Sequence, residues 1–298
     1  MKLVTTTDAL EKRFGLKEAI RRIKEYGFDG YDCSLFESMK PGNIFDENAV
    51  SENGEPLYII RAKEIRDYAD SIGIPCLQTH PPLPTVNEHI TPEDYVILQQ
   101  KSIEISAILG AEVVVVHPEY FLDMSYNFEN IYSKLIPFAE KLGIKIATEN
   151  MFKRIKENGE IEIYPATCGT PEEFREYIDY ANSDFFTACL DIGHAELPRI
   201  DGADKFIKAL GARLGALHVH DNDKKRDLHV FPYLGSINWD EVCRALAEID
   251  YKGNFTFEAD ATNYNYPDAL LPHAYNLLEK TGRYLISQIN EYKKEIKK

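Results

Sequence analysis

The chain has 298 residues, 44% hydrophobic and 28% charged, so it can bury one large core or two ordinary ones. Its formal net charge of −15 opposes non-specific attachment to nucleic acid or to an anionic membrane. The five cysteines are odd in number and scattered without a CxxC pair, so we expect a reducing, cytoplasmic compartment and no disulfide framework. The first residues predict a strand rather than a signal peptide, and no apolar run approaches the roughly 20 residues of a membrane span.

Short apolar runs alternate with amphipathic helical patterns along the whole sequence. The predicted strands cover residues 2–6, 30–34, 75–79, 112–116, 145–148, 186–190, a run from 215, and 254–257. The predicted helices cover residues 16–26, 57–71, 91–109, 130–142, a run after 170, 203–214, 238–249 and about 267–294. Strands that alternate with helices imply a parallel sheet. Eight such units predict an α/β fold, a single (β/α)8 TIM barrel domain over residues 1–298.

A doubly wound open sheet is the alternative architecture, but the first turn lacks a GxGxxG and no Walker A motif is present. Two long polar stretches interrupt the repeat. Residues 37–55 form a β2–α2 loop that acts as a lid or a subunit contact, and residues 153–169 form a second polar excursion. Thr91 and Thr170 are suited to cap helices, with Glu173 placed for a capping box.

The densest group of metal-ligating residue types lies around the seventh predicted strand. His218 and His220 are two residues apart, so along a strand their side chains point to the same face. The exit loop then supplies further carboxylates and an imidazole: Asp221, Asp223, Asp227 and His229. A divalent cation would relieve the repulsion among these carboxylates and use neutral imidazole as a ligand. The alternative is that Asp221–Asp223 is a turn and the histidines are hydrogen-bonded core residues.

Ionisable residues recur at the ends of the other predicted strands. Six of the eight histidines lie there, and so do three carboxylates: His80, His117, His194, His218, His220, His229, Glu149, Asp191 and Glu258. In a barrel these ends converge on the face where active sites are built. Any one of them has a structural explanation; Glu149, for example, would pair with Lys153 or Arg154. Several strands delivering ionisable groups to one rim indicates a shared metal, because burying unpaired charges costs several kcal/mol each.

These residues resemble the motif series of the xylose isomerase-like barrel superfamily. The resemblance rests on His80, His117, Glu149, Asp191-x-x-His194, His218, Asp227-x-His229 and Glu258, and on two stretches, 217–221 and 235–239. It covers nearly the whole chain. The superfamily includes sugar and sugar-phosphate isomerases and epimerases, inosose dehydratases and the endonuclease IV enzymes, and the motifs do not choose among them.

The resemblance to epimerases of the tagatose 3-epimerase type implies one divalent metal held by Glu149, Asp191, His218 and Glu258. A ligand set so rich in oxygen suits Mn²⁺ or Mg²⁺, with Co²⁺ or Zn²⁺ as alternatives. The metal would polarise a ketose carbonyl and stabilise an enediolate, while Glu149 and Glu258 remove and return the proton. The residues expected to contact the sugar are His80, His117, His194, Lys224, Arg226 and His229.

Three other functions are compatible with the same residues. A dehydratase or C-glycoside lyase acting on keto sugars would use the same metal and expel a group β to the carbonyl. An endonuclease IV-like phosphodiesterase would hold three zinc ions, and all nine ligand types have counterparts here, although that family has Asn where His220 stands. A non-catalytic barrel would bind no metal and turn over no sugar.

The remaining expectations concern substrate and partners. Lys153, Arg154 and Lys156 either meet a phosphate or form a solvated loop. The aromatic pairs Tyr120–Phe121 and Tyr264–Tyr266 either stack on a sugar or pack at the surface. We expect a small carbohydrate substrate and no membrane or nucleic-acid partner. The sequence leaves the oligomeric state open; the resemblance implies a dimer or tetramer as one option, since isomerases of the superfamily often form them.

Overall fold

The computed structural model describes residues 1–84, 90–119 and 122–297. Its strands, numbered in chain order, are β1 (Leu3–Thr6), β2 (Gly30–Ser34), β3 (Cys76–His80), β4 (Val113–Val115), β5 (Lys145–Glu149), β6 (Phe152–Glu157), β7 (Glu160–Pro165), β8 (Phe186–Asp191), β9 (Leu214–His218) and β10 (Phe255–Phe257). Eight of them form one parallel sheet, in the order β10-β1-β2-β3-β4-β5-β8-β9. The other two, β6 and β7, pair with each other as an antiparallel hairpin.

The two ends of the eight-stranded sheet meet just beyond β9. There the N–H of Val219 donates to the carbonyl of Thr256 at 2.9 Å, and the N–H of Glu258 donates to the carbonyl of Val219 at 3.2 Å. These bonds join β9 to β10 and close the sheet on itself. The predicted (β/α)8 TIM barrel is therefore confirmed, and the open-sheet alternative is wrong.

Helices follow the strands and surround the barrel. They are α1 (Asp8–Phe14), α2 (Leu16–Glu25), α3 (Leu35–Ser38), α4 (Leu57–Ile72), α5 (Pro92–Leu109), α6 (Met124–Asn127), α7 (Ser133–Leu142), α8 (Pro171–Ala181), α9 (Ile192–Ala195), α10 (Ala203–Leu210), α11 (Trp239–Glu248), α12 (Ala261–Tyr264) and α13 (Leu271–Ile296), with a π-helical turn at Phe128–Tyr132 between α6 and α7. None of the helices in the described ranges combines the length and apolarity needed to cross a bilayer.

Both predicted helix starts are capped by a threonine hydroxyl, but the complete capping box forms at α5 with Asp94 and not, as expected, at α8 with Glu173. The Thr91 hydroxyl accepts a hydrogen bond from the N–H of Asp94, and the Asp94 carboxylate accepts one from the N–H of Thr91, which is a complete capping box. At α8, the hydroxyl of Thr170 accepts from the N–H of Glu173 at 3.2 Å. These caps fix where α5 and α8 begin, and so set the lengths of the loops that precede them.

Two layers of apolar side chains hold the barrel. Outward-facing strand residues pack against the helices in one large core. Inward-facing residues are small and form a separate cluster inside the barrel: Val113, Val115, Ala147, Cys189 and Ala216. Because inward and outward positions alternate along each strand, the residue two positions beyond an inward-facing one also faces the barrel interior. This alternation aims Glu149, two residues after Ala147, at the barrel mouth.

The polar excursion after β5 is a hairpin, which the sequence analysis did not predict. Strands β6 and β7 pair over six residues each and turn at Asn158–Gly159, where both φ angles are positive (51° and 90°). Asn-Gly at positive φ is typical of a two-residue hairpin turn. The alternation was hidden because lysines, arginine and glutamates occupy most positions of β6.

Three further differences concern element ends and short helices. Helix α1 precedes α2 and was not predicted, since its seven residues are too few to show a clear period. The long polar loop opens with α3 and contains an isolated bridge between Val50 and Pro56. The last helix begins at Leu271, after a 3₁₀ turn at Asp268–Leu270, and extends to Ile296.

Candidate metal centre

The carboxyl ends of the strands deliver ionisable side chains to one mouth of the barrel. Four of these residues are the last of their strands: His80 of β3, Glu149 of β5, Asp191 of β8 and His218 of β9. His117 follows β4 and Glu258 follows β10 directly. Parallel strands of a closed barrel end on the same face, so residues far apart in sequence become neighbours there.

Glu149 lies at the centre of an inner group of ligand-type residues. Its Oε2 atom is 3.0 Å from Nδ1 of His218 and 3.1 Å from Nε2 of His117. Glu258 reaches the same Nδ1 of His218, at 3.2 Å, from the opposite side of β9. His80 Nε2 lies 3.9 Å from Glu149 and 4.0 Å from Glu258. The inner group thus combines two carboxylates and three imidazoles.

Asp191 links the inner group to an outer group of ligand-type residues. It shares one set of mutually close ligand atoms, all within 4.8 Å, with Glu149 and His194. Both of its carboxylate oxygens also lie 3.0 Å from Nε2 of His220. Asp191 therefore lies beside Glu149 of the inner group and contacts two imidazoles of the outer group, His194 and His220.

The outer group surrounds Asp227. The Nε2 atoms of three imidazoles point at its carboxylate: His229 at 3.2 Å, His194 at 3.6 Å and His220 at 3.7 Å. Nδ1 of His194 is 2.9 Å from the carbonyl of Asn150, and Nδ1 of His229 is 2.9 Å from the carbonyl of Glu258. A carbonyl only accepts, so both Nδ1 atoms carry a proton and each Nε2 is left to face Asp227.

The electrostatics of the cluster favour ionised carboxylates. Burial alone would raise the pKa of Glu149, but the imidazoles of His218 and His117 outweigh burial and hold that pKa well below its ordinary value. The pKa of Asp191 is likewise lowered, against burial, by His194 and His220. Ionised carboxylates are the form that binds a divalent cation.

One imidazole of the cluster is held neutral. Burial, reinforced by the neighbouring imidazole of His117, lowers the pKa of His80 well below its ordinary value. Neutral imidazole is the form that binds metals. At His218 the direction is opposite: Cys189, Glu258 and Glu149 outweigh burial and raise the pKa of His218 well above its ordinary value, so a bound cation would have to displace a proton from this imidazole.

Several buried polar atoms in this cluster have no hydrogen-bond partner among the described residues. They include Oε2 of Glu149, both ring nitrogens of His218 and Oδ1 of Asp227. The atoms approach one another to about hydrogen-bond distance, yet the geometry is not that of a hydrogen bond. Buried polar groups normally have hydrogen-bond partners. Converging buried atoms that lack such partners are what we expect at a site that binds a shared cation.

The cluster opens into a cleft made of two adjoining cavities, of about 520 and about 380 Å³. His80, Asp227, His229 and Glu258 line both of them. The larger cavity extends toward Asp8, Lys12 and Tyr264, and the smaller one toward Glu149, His117, His194 and the start of the hairpin. The cleft is large enough for a small sugar, and its walls include carboxylates and imidazoles of the cluster.

Two predicted substrate contacts lie elsewhere. Lys224 Nζ is 2.8 Å from a carboxylate oxygen of Glu196, and Arg226 forms an ion pair at 2.8 Å with Asp223 while its side chain is 72% exposed. Neither lines the cleft. The resemblance to the superfamily implied that they contact the substrate; here nearer carboxylates hold both side chains, and their contact with a substrate stays a prediction.

The structure places only some of the aromatic residues that were singled out in the sequence. Tyr264 lines the larger cavity, where its hydroxyl contacts the carboxylate of Asp8 and accepts from Lys12 Nζ at 2.9 Å. Tyr120 and Phe121 lie outside the described residues. Phe36, which was not singled out in the sequence, stacks on the His80 ring with centroids 4.9 Å apart.

The sequence analysis also missed polar residues inside the barrel below the cluster. Asp32 of β2 lies 3.9 Å from Nε2 of His218 and accepts a hydrogen bond from Gln78 at 2.9 Å. Burial raises the pKa of Asp32 to about 7. Asn150 brackets Asp191, accepting from its N–H at 2.7 Å and donating to its carbonyl at 3.0 Å. The alternation of polar residues along a strand was the signal in the sequence that could have located them.

Asp221 stabilises the loop that follows β9 and is not part of the cluster of ligand-type residues. Its carboxylate accepts hydrogen bonds from the indole of Trp239 at 2.9 Å and from the backbone N–H groups of Asn222, Tyr233 and Ile237. A side chain at Gly235 would overlap this carboxylate and the carbonyl of Asn222, so the loop requires glycine there. The carboxylate of Asp221 therefore holds in place the loop that carries Asp227 and His229.

Comparison with known proteins places the chain in a family. The family model for the xylose isomerase-like TIM barrel matches residues 20–281. A protein of Sinorhizobium fredii is 30% identical over 177 residues, which are 56% of this chain and 53% of that protein. A protein of Methanocaldococcus jannaschii is 28% identical over 268 residues, which are 86% of this chain and 81% of that protein.

Solved structures share the fold over the full length. A D-tagatose 3-epimerase-like protein superposes with a TM-score of 0.70 at 24% identity, covering 97% of this chain and 100% of that one. The IolI protein, solved with a bound zinc atom, superposes with a TM-score of 0.72 at 18% identity, covering 97% and 99%. With the barrel, the strand-end ligand residues and the match over residues 20–281, the chain belongs to the xylose isomerase-like TIM barrel family.

Proposed function

We propose that this protein is a divalent-metal-dependent isomerase or epimerase of a ketose or ketose phosphate. The observation that carries the proposal is the convergence of Glu149 and Glu258 on one nitrogen of His218, at 3.0 and 3.2 Å, at the edge of a sugar-sized cleft. Two carboxylates flanking a bound sugar are what proton removal and return require. The epimerase fold shared with the structural neighbours supports this choice.

The residues present fit a metal ion. We assign it to Glu149, Asp191, His218 and Glu258, three carboxylates and one imidazole. Unpartnered buried atoms of Glu149 and His218 support the assignment. Oxygen-rich ligand sets favour Mn²⁺ or Mg²⁺, and the zinc held by the related IolI fold keeps Zn²⁺ and Co²⁺ as alternatives.

The ion, when bound, supplies Lewis acidity to a ketose carbonyl and its neighbouring hydroxyl. The chain's own residues then handle the proton. Glu149 on β5 and Glu258 after β10 lie on either side of β9 in the barrel, so they reach a bound sugar from two directions. One carboxylate removes the carbon-bound hydrogen and the other returns a proton. His80, His117, His194 and His229 line the cleft and donate to or accept from the sugar oxygens.

Hydrogen exchange tests this proposal. The Mn²⁺-loaded protein is incubated in D₂O with D-fructose, D-tagatose, L-ribulose and their phosphates, and carbon-bound deuterium is measured by NMR. We expect exchange at one carbon of at least one ketose, reduced at least about 100-fold in Glu258→Gln. The matched control Glu157→Gln, at the end of β6, should exchange normally. A metal-loaded protein that exchanges no hydrogen in any of these ketoses would contradict the proposal.

The outer group favours a second candidate, a phosphodiesterase with several zinc ions. His194, His220, Asp227 and His229 offer ligand atoms within 4.8 Å of one another, beside the inner group. Three metal ions could then act together on a phosphate ester. Three zinc ions per chain and cleavage of abasic DNA would support this candidate, whereas a single ion and exchange of a ketose hydrogen support the isomerase.

A further inference from the structure

The hairpin β6–β7 places two cations at the entrance of the smaller cavity. Lys153 and Arg154 both line it, together with Glu149, His194 and other metal-centre residues. They are adjacent in sequence and follow β5 by a few residues, so the strand that ends in Glu149 also delivers these cations to the cleft.

Neither cation is neutralised. Among the ion pairs of residues 1–84, 90–119 and 122–297, none involves Lys153 or Arg154. The other basic side chains of the cleft are paired: Lys12 with Asp8 at 2.9 Å, and Lys40 with Glu37 at 2.6 Å. In a chain with a net charge of −15, two cations without carboxylate partners at a cleft lined by acids are available for a ligand.

Two of the hairpin's three glutamates are engaged with other partners, and the third, Glu160, lies opposite Glu157 at the turn, at the far end of the hairpin from Lys153 and Arg154. Glu157 accepts from the Tyr164 hydroxyl at 3.1 Å, and Glu162 forms an ion pair with Arg199 at 2.5 Å. Arg199 also donates to the carbonyl of Ile163 and stacks on Tyr164, which ties β7 to the segment after β8. These contacts hold the hairpin in place and leave Lys153 and Arg154 without a competing acid.

Arg154 is also oriented. Its guanidinium lies 4.7 Å from the centre of the Phe152 ring, and that ring packs edge-on against His194 with centroids 4.9 Å apart. Stacking on an aromatic face limits the directions in which a guanidinium can donate. A ligand that contacts His194 is therefore within the reach of an arginine that is already positioned.

We propose that Lys153 and Arg154 form a subsite for an anionic group, a phosphate or a carboxylate, carried by the substrate at the end remote from the reacting carbon. The inference rests on the proposed sugar isomerase and narrows its substrate class to acidic or phosphorylated sugars. Arg binds such oxygens in bidentate fashion and Lys adds a point charge. Without them an anion would enter a cleft walled by Glu149, Asp227 and Glu258.

Binding measurements on the metal-loaded protein test the subsite. Inorganic phosphate is titrated calorimetrically into the wild type, the double variant Lys153→Gln/Arg154→Gln, and the control Lys156→Gln, which changes an exposed cation of the same strand outside the cavity. We expect phosphate to bind about tenfold or more weakly to the double variant and within twofold of wild type to the control. Equal loss in both variants, or no loss in the double variant, would overturn the inference.

Small sugars then identify the anion. If the double variant weakens D-fructose 6-phosphate but not D-fructose, the subsite takes a phosphate ester; if it weakens gluconate instead, the subsite takes a carboxylate. Either result supports the subsite. A double variant that loses as much affinity for D-fructose as for the anionic sugars would overturn it. Binding needs no turnover, so a protein that discriminates anions through these residues yet exchanges no ketose hydrogen would contradict the proposed function alone.

Discussion

Individual carboxylates in this barrel experience opposite electrostatic environments. At Glu149 neighbouring imidazoles keep the carboxyl ionised in spite of burial. At Glu11, on α1, burial dominates and raises the pKa to about 7, even though Ser38 and Thr7 donate hydrogen bonds to it. The sign of a buried carboxyl's pKa shift therefore depends on whether neighbouring positive charge outweighs the cost of burial.

The raised pKa of Glu11 makes the stability of the fold depend on pH. Its folded pKa of about 7 exceeds the ordinary value of 4.5, so the folded state binds more protons than the unfolded state between these pH values. Stability from this group is present below pH 4.5 and is lost as pH rises toward 7. We expect Glu11→Gln to remove this loss. The free energy of unfolding of the variant, relative to that of wild type, should therefore increase by about 2 kcal/mol between pH 5 and pH 8.

Urea denaturation of both proteins at pH 5 and pH 8 measures this difference. Glu52→Gln, in the exposed part of the long polar loop, is the control and should show no pH-dependent difference from wild type. A stability difference between Glu11→Gln and wild type that is the same at both pH values would show that the Glu11 carboxyl is ionised in the folded protein.

For individual residues, the sequence predicted the position in the fold where the residue ends a strand. Glu149, Asp191 and His218 were predicted as neighbours from their positions alone, and the structure brings them together; their role as metal ligands is our proposal. Lys224 and Arg226 form ion pairs with neighbouring carboxylates, and periodicity does not show which partner a side chain in a loop contacts.

Among the elements, the turn from β8 into α9 leaves no room for a side chain at Gly193. Gly193 lies directly under the His220 imidazole, and a Cβ there would overlap the ring. His220 in turn contacts both oxygens of Asp191 at 3.0 Å. Gly193 therefore positions Asp191 through His220.

We expect Gly193→Ala to displace His220 and to raise the dissociation constant for Mn²⁺ about tenfold, as loss of a residue that orients a ligand commonly does. Gly143→Ala is the matched control: Gly143 has a φ of 71° but an added Cβ meets nothing within 4 Å. The control should cost about 1 kcal/mol of stability and leave Mn²⁺ affinity unchanged. Calorimetric titration distinguishes the two; equal Mn²⁺ affinities would show that His220 does not position Asp191.

Element types were predictable where hydrophobic periodicity was strong and were not where charge masked it. The strand at 30–34 and the helix that follows Thr91 were located from pattern and caps. The β6–β7 hairpin was missed although Asn158–Gly159 is a hairpin signal, because its exposed face carries the cations that we assign to the anion subsite. Charged residues thus obscured the alternation that marks a strand.

For the whole molecule, the proposed metal centre lies beside the point where the barrel closes. The same residues that end the strands, such as His218 at the end of β9, lie where the sheet closes on β10. A cation that joins Glu149 on β5 to Glu258 after β10 would bridge strands on both sides of the closure. The barrel fold itself followed from eight repeats of strand and helix, whereas its closure bonds are long-range contacts that no local pattern shows.

We expect the cation to stabilise the fold. At a free Mn²⁺ concentration about 100 times the dissociation constant, binding to the folded state alone adds about 2.7 kcal/mol. For a chain of 298 residues this raises the midpoint of thermal unfolding by about 4 °C. Differential scanning calorimetry of chelator-treated protein with and without Mn²⁺ measures the shift, and a midpoint that does not move would contradict a folded-state site.

Elemental analysis of the purified protein, wild type beside His218→Asn, tests the convergence of these strand-end residues on one cation most directly. After incubation with Mn²⁺ and desalting, we expect about one divalent ion per chain in the wild type and almost none in His218→Asn. A wild type that retains no Mn²⁺, Mg²⁺, Co²⁺ or Zn²⁺, or a His218→Asn variant that retains the ion in full, would contradict the proposed centre. Three zinc ions per chain would contradict the isomerase and support the phosphodiesterase.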